Sequence, residues 1–346
     1  MAQLNALDAN LNLKHKFPYK WNLSDGYPAK GIKHHGTTVM TTFACGGGST
    51  MGYKLAGYNV IAANDIDPQM AKVYKANHNP KQFFLCGVKE LLKRDDLPQV
   101  DVLDGSPPCS VFSMAGSREN AWQKDKMFRE GQAKQVLDDL FFDFIDLAEK
   151  MQPKIVIAEN VKGMLQGHAK WYTREVVRRF ENIGYKCQVF LLNAATMGVP
   201  QKRERVFFIA HKSNKTLQLK FTEPSILFKD VNDIKDIREK ISETYKKYWL
   251  QSKQGYPVGK FKSTKRFHMK RVPNTITSSG QAYHPTIPRK LNRLETSLIG
   301  SWPLDYQFGE ISYRYLIGMS VPPVMMAQVA DQVYNQLIAG TKHDGK

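Results

Sequence analysis

From about residue 37 to residue 211 the apolar positions of this chain fall into short blocks that alternate with amphipathic stretches. Thr38 to Phe43 is β-branched and apolar and is broken by Gly46-Gly47-Gly48. A helical pattern follows, from a predicted cap at Ser49 to Ala56, with Gly57 placed to end it. Further strand-length blocks run from Asn59 to Asn64, Gln82 to Leu85, Val100 to Leu103, Ile155 to Ala158, Cys187 to Leu192 and Val206 to Ala210. Between them the spacing predicts helices from Pro68 to about Ala76, from about Lys134 to Lys150 and from about Trp171 to Asn182. Strands alternating with helices predict an α/β fold built on a doubly wound, mostly parallel sheet. The last two blocks are joined by a short Gly/Pro-containing segment, so an antiparallel hairpin is expected at the sheet edge.

After His211 the alternation stops. Residues 213–270 are basic and turn-rich and read as a small separate region reaching to about 294. The remainder, 271–346, ends in an apolar helix from about Pro323 to Ile338 that is expected to return to the sheet. Residues 1–36 are polar and irregular and read as an N-terminal arm anchored by Trp21 and Tyr27, ahead of an α/β domain at 37–212. A chain of 346 residues exceeds what one core usually organises, in keeping with a large domain plus a smaller one.

The sequence has no transmembrane-length apolar run, and Met1 to Lys20 has no apolar leader pattern. The 4 cysteines include one in a Pro-Pro-Cys tripeptide, which suggests reduced thiols. A cytoplasmic protein with no membrane partner and no metal site is expected. Its 50 Lys and Arg against 32 Asp and Glu give a net charge of +18, favouring a polyanionic partner. Between Glu243 and Glu295 there is no acidic residue, and the 12 cations there equal two thirds of the net charge. Tyr245, Tyr248, Trp249, Tyr256, Phe261, Phe267 and Tyr283 are interleaved with them, flat groups suited to stacking on bases. Nucleic-acid contact is therefore expected from this stretch, with a solvated basic face as the plainer alternative.

Four groups of residues carry candidate chemistry. Phe43 to Gly48 ends the first strand and Asp65 ends the second; glycines admit a ligand close to the backbone and an acid there can hold ribose hydroxyls, so a nucleoside cofactor fits. The spacing is not that of a dinucleotide fingerprint, which argues against an oxidoreductase. Gly105-Ser106-Pro107-Pro108-Cys109-Ser110 holds a thiol behind two prolines at a strand end, as a nucleophile would be held. Glu159-Asn160-Val161 places a carboxylate at the fifth strand end, where burial favours a proton donor. Gln201-Lys202-Arg203-Glu204-Arg205 brings guanidinium groups able to bind an oxygen or a phosphate.

In this order, with Gly318-Met319-Ser320-Val321 near the end, the four groups resemble the cytosine-5 DNA methyltransferase family, bacterial or phage in style, over residues 37 to 338. The resemblance implies a class I S-adenosylmethionine-dependent fold with a target-recognition region, and S-adenosyl-L-methionine as cofactor. Phe43, Ala44, Cys45, Gly46, Gly47, Gly48, Asp65, Ile66, Pro107, Ser320 and Val321 would hold that cofactor. Cys109 would add to C6 of a flipped-out cytosine, Glu159 would protonate or hydrogen-bond N3, Arg205 would hold O2, and Arg203 would sit nearby on a phosphate or loop. Ser110, Asn160, Gln201, Lys260, Lys262, Lys265 and Arg266 would contact double-stranded DNA, and Ser110 to about Gly131 would close over the base. A monomer is expected, with any cognate restriction endonuclease acting as a separate chain. Three positions depart from the family pattern: Cys45 stands at a usual glycine, Cys86-Gly87-Val88 lacks the usual adenine-binding Asp, and Met319 replaces an Asn. A tRNA-methylating relative and a catalytically silent nucleic-acid-binding module are the alternatives.

Overall fold

The structure, a computed structural model, describes residues 15–108, 125–126, 135–136, 140–167, 169–235, 239–260 and 264–339. Strands β1 (Thr38–Thr42), β2 (Asn59–Asp65), β3 (Gln82–Leu85) and β4 (Val102–Gly105) alternate with helices α1 (Gly48–Leu55) and α2 (Pro68–His78). The short strands β5 (Asp125–Lys126) and β6 (Gln135–Val136) form an antiparallel pair of their own. That pair corrects the helix expected from Lys134: the described helix α3 is Leu140–Met151. Then come β7 (Ile155–Val161), α4 (Ala169–Asn182), β8 (Lys186–Asn193) and β9 (Glu204–His211). The main sheet has seven strands in the order β3-β2-β1-β4-β7-β9-β8. β3, β2, β1, β4 and β7 run parallel, and β9 lies antiparallel to both β7 and β8. The expected class I methyltransferase architecture, with its edge hairpin, is present.

After a one-turn helix at Phe228–Val231, three longer helices, α5 (Glu243–Gln251), α6 (Arg293–Ile299) and α7 (Tyr313–Met319), precede the C-terminal helix α8 (Pro323–Val333). Alternating side chains fill both layers of the sheet, because successive strand residues point to opposite faces. Val39, Val102, Ile155, Ile157 and Ile209 pack with α1 and with α8, while Met40, Leu103, Val156, Ala158 and Phe208 pack with α3 and α4. α8 continues as a π-turn over Tyr334–Ile338 and packs on the sheet as expected. Its approach to α1 is close: a Cβ on Gly52 would lie 2.5 Å from that of Met326.

Trp21, the expected anchor of the N-terminal arm, is buried in the main core together with Phe17 and Tyr19, and its indole donates to the Ser301 carbonyl at 3.0 Å. The packing does not break at 213. Leu217, Ile226, Phe228 and Val231 belong to the main core, whereas Trp249, Val258 and Tyr283 form a small cluster of their own within the basic stretch. Among the described residues no helix is long and apolar enough to cross a membrane.

Candidate active site

A cleft of about 910 Å³ opens at the carboxyl ends of β1, β2, β3 and β4, where an open α/β sheet binds ligands. Phe43, Ala44, Cys45 and Gly48 after β1, Asp65 and Ile66 at β2, and Ser320 and Val321 from the C-terminal segment all line it, as the sequence places them. The turn after β1 is tightly bent, with Phe43 at φ 51°, Cys45 at 47° and Gly47 at 79°. A left-handed conformation costs a non-glycine residue about 1–2 kcal/mol. An acceptor offsets it here, because the Cys45 amide donates to Asp65 Oδ2 at 2.7 Å. The other Asp65 oxygen accepts from the Asp67 amide at 2.9 Å. Burial pushes the Asp65 carboxyl up to about 6, and these two amide donors work against that rise.

Within this turn the structure separates contact from packing. Gly46 and Gly47, expected on the cofactor, are packing positions: a Cβ on Gly46 would fall 2.8 Å from the Leu316 side chain, and one on Gly47 2.2 Å from His78 Nε2. The Gly46 carbonyl accepts from Tyr306 Oη at 2.6 Å and is bonded to His78 Nε2 at 3.1 Å. Burial lowers the His78 pKa to about 3, so the neutral ring donates there. Gly48, by contrast, lies against the Val321 carbonyl, which a Cβ would approach to 2.2 Å. The left-handed Gly47 is the N-cap of α1, not Ser49, which lies inside the first turn and lines the cleft.

Pro107 does not line the cleft; its neighbours Ser106 and Pro108 do. The Pro107 carbonyl instead accepts from Asn160 Nδ2 at 3.0 Å, and Asn160 Oδ1 accepts from the Val161 amide at 2.8 Å. Asn160 therefore braces the proline turn. Cys109, Ser110, Lys262 and the closing segment expected up to Gly131 lie outside the described side chains.

The next strand ends carry an ion pair. Arg205 on β9 sits opposite Val161 and reaches Glu159 on β7, Nε to Oε1 at 2.8 Å, with both side chains largely buried. Burial lowers the Arg205 pKa, and the Glu159 charge opposes that. Arg203, just before β9, meets loop backbone, one of the two surroundings expected for it. It is 2% exposed, and its guanidinium donates to the carbonyls of Ile276, Gly318 and Ser320 at 2.9–3.0 Å. Three of its five N–H groups go to backbone carbonyls and its buried Nε has no partner among the described residues, so Arg203 braces loop backbone. Gln201, expected on DNA, is held on backbone too: its amide donates to Ile299 O and accepts from Ile276 N, both at 3.1 Å.

Sequence reasoning missed Asp104. It is 1% exposed on β4, accepts from Tyr53 Oη at 3.2 Å and also bonds Ser49. Burial, reinforced by the nearby Glu159 charge, raises its carboxyl to about 8. A buried acid in the middle of an apolar strand was the available signal. Asn64 and Tyr315 also line the cleft unforeseen, while Cys86, Gly87 and Val88 line it at the position the resemblance gives to the adenine contact.

A second cleft lies between the β9 approach and the basic stretch, lined by Lys202, Lys265, Asn274, Thr277, Gln281 and Arg314 among others. Lys260 and Lys265 are exposed, as DNA-contacting cations need to be. Arg266 is not available in that way: it stacks on Trp249 at 3.6 Å and donates to the carbonyls of Trp249, Ser252 and Pro285. Trp249, Phe267 and Tyr283 are buried and cannot stack on bases, whereas Tyr248 and Tyr256 are exposed.

A mostly parallel seven-stranded sheet with an antiparallel pair at one edge and a cleft at its strand ends has the class I methyltransferase fold. Residues 37–335 match the C-5 cytosine-specific DNA methylase family, and the chain belongs to it. It is 32% identical over 214 residues to the type II methyltransferase M.NgoPII of Neisseria gonorrhoeae, covering 60% of this chain and 57% of that one. Against the type II methyltransferase M1.HphI of Haemophilus parahaemolyticus it is 26% identical over 348 residues, 86% of each chain. The chain spans about half the length of the curated relatives it matches first. Among solved structures, a protein encoded within an E. coli prophage and assigned as a DNA modification methyltransferase superposes with a TM-score of 0.69 at 19% identity, covering 87% of this chain and 99% of that one.

Proposed function

We propose that the chain is a DNA (cytosine-5)-methyltransferase that takes its methyl group from S-adenosylmethionine and modifies a cytosine flipped out of duplex DNA. The observation that carries this reading is the Glu159–Arg205 pair, tied through Asn160 to the Pro107 carbonyl and so to the turn that leads into Cys109. The cleft at β1 to β4 suits the cofactor, since it opens at the strand ends where an open α/β sheet binds nucleosides and Asp65 offers a carboxylate edge for hydroxyl groups. When bound, S-adenosylmethionine supplies an electrophilic methyl group.

The residues of the chain supply the rest. Cytosine C5 is a poor nucleophile until a thiolate adds to C6, and Cys109 is that thiol. Charge developing on the ring is met at N3 by a proton from Glu159 in its acid form and at O2 by Arg205, whose Nε lies 2.8 Å from the Glu159 carboxyl and orients it. Once C5 carries the methyl group, water accepts the C5 proton, the C6–S bond breaks to release Cys109 as thiolate, and N3 returns its proton to Glu159. C6 is shielded in a duplex, so the base must leave the stack, and the exposed lysines beside the second cleft supply phosphate contacts for that distortion. The designation of the relatives as type II enzymes supports a role in DNA modification, with any endonuclease a separate protein.

The test is trapping. Duplex DNA containing 5-fluorocytosine cannot lose fluorine as a proton, so wild-type protein with cofactor should form a denaturation-resistant adduct and Cys109→Ser should form none. An adduct that survives Cys109→Ser assigns the nucleophile elsewhere, and trapping on fluorinated tRNA but not on duplex replaces the DNA substrate with RNA.

A further inference from the structure

Arg203 is the one guanidinium of the Gln201 to Arg205 motif that the reaction leaves without a task. Its Nη1 donates to Ile276 O at 3.0 Å, and its Nη2 donates to Gly318 O at 3.0 Å and to Ser320 O at 2.9 Å. These carbonyls belong to two different walls. Ile276 sits in the segment whose neighbours Asn274, Thr275 and Thr277 line the second cleft, and Met319, Ser320 and Val321 line the cofactor cleft. The walls also touch directly, for a Cβ on Gly318 would lie 2.4 Å from the Ser278 amide nitrogen and 2.5 Å from the Thr277 carbonyl carbon. Gln201 secures the same segment from the other side through the Ile276 amide.

We infer that Arg203 couples the two clefts, so that S-adenosylmethionine in the first and a nucleic-acid strand in the second each strengthen the binding of the other. This rests on the proposed function and goes beyond it, in assigning Arg203 as a positioning residue that acts between sites. The physical basis is the geometry of one planar, buried cation. A guanidinium satisfying three carbonyls cannot follow a shift of one wall without losing bonds to the other, and a buried donor left unpaired is costly. A ligand that settles one wall therefore settles the other, and the coupling must be reciprocal.

The probes are S-adenosylhomocysteine, which binds without reacting, and a mixed-sequence DNA duplex. Saturating S-adenosylhomocysteine should tighten duplex binding to the wild type at least about fivefold, and saturating duplex should tighten S-adenosylhomocysteine by the same factor. In Arg203→Lys, whose single ammonium cannot span the three carbonyls, that factor should fall to near one while each ligand alone still binds. Gly318→Ala, which pries the walls apart without changing any charge, should do the same, so a failure of Arg203→Lys to fold leaves the test in place. Binding of both ligands to the wild type with no mutual effect, or a wild-type factor retained in a folded variant, overturns the coupling. If the wild type does not bind S-adenosylhomocysteine at all, the proposed function falls, and the coupling with it.

Discussion

Replacing Asp104 by Asn isolates the effect of a single buried carboxyl. Burial on β4, with the Glu159 charge nearby, raises this group from an ordinary 3.8 to about 8. The unfolded chain releases the proton above about pH 4, while the folded chain keeps it to about pH 8. The stability that this group contributes is therefore complete below pH 4 and is lost as the pH climbs toward 8. Each pH unit in that window removes roughly 1.4 kcal/mol. The amide of the Asp104→Asn variant would not titrate, yet its carbonyl could still accept from Tyr53 Oη. Urea denaturation of both proteins at pH 5 and pH 8 should thus show the stability difference moving in favour of Asp104→Asn by roughly 4 kcal/mol. Other titrating groups are common to both chains and drop out of the difference. Parallel stability curves across this range would mean that Asp104 is ionised throughout and that its burial does not govern its charge.

Three further outcomes are expected. Asp65 titrates near 6 and accepts the Cys45 amide that shapes the cofactor turn. S-adenosylhomocysteine affinity measured by calorimetry should fall as the pH drops below 6, by up to about tenfold per unit, and Asp65→Asn should bind weakly with a flat pH profile. In the basic stretch, Lys260→Ala with Lys265→Ala should flatten the salt dependence of duplex binding by up to about 0.9 per lost phosphate contact. Arg266→Ala should instead lower the melting temperature, because its stacking on Trp249 holds the small cluster together.

The sheet was legible because its evidence is local. Strands buried on both faces read as apolar blocks, and the missing helix between Leu192 and Val206 announces the hairpin that β8 and β9 form. Boundaries that depend on distant partners were not legible. Lys134 to Val136 carries a helical pattern but pairs in part with Asp125–Lys126, and a pairing partner leaves no mark in a periodicity. Trp21 was legible as an anchor of the arm, but what it anchors to was not, and Phe17 gave no sign of burial. They are buried because the segment from Ser301 to Asp305, almost the whole chain away, supplies hydrogen-bond partners for Trp21, Leu23 and Ser24.

In the candidate site, residue type was readable and the division of labour was not. Spacing brings Asp65, Glu159 and Arg205 to strand ends, but a motif also includes the residues that hold its active members in place, and Gly46, Gly47, Asn160, Gln201 and Arg203 are of that kind. The same sorting runs through the acid-free stretch. Arg266 stacks on Trp249, Arg289 forms a buried pair with Glu295 at 2.8 Å, and Arg293 donates to Tyr306 O at 2.8 Å, whereas Lys247, Lys253, Lys260, Lys265 and Lys270 are exposed. A planar guanidinium can satisfy several carbonyls at once and is weakly hydrated, so burial selects it, while a compact ammonium keeps its water. A charge count treats the two alike and so overstates the cations free to meet a polyanion. The lysines beside the second cleft are the more informative part of the count, and the salt slope of their variants measures that directly.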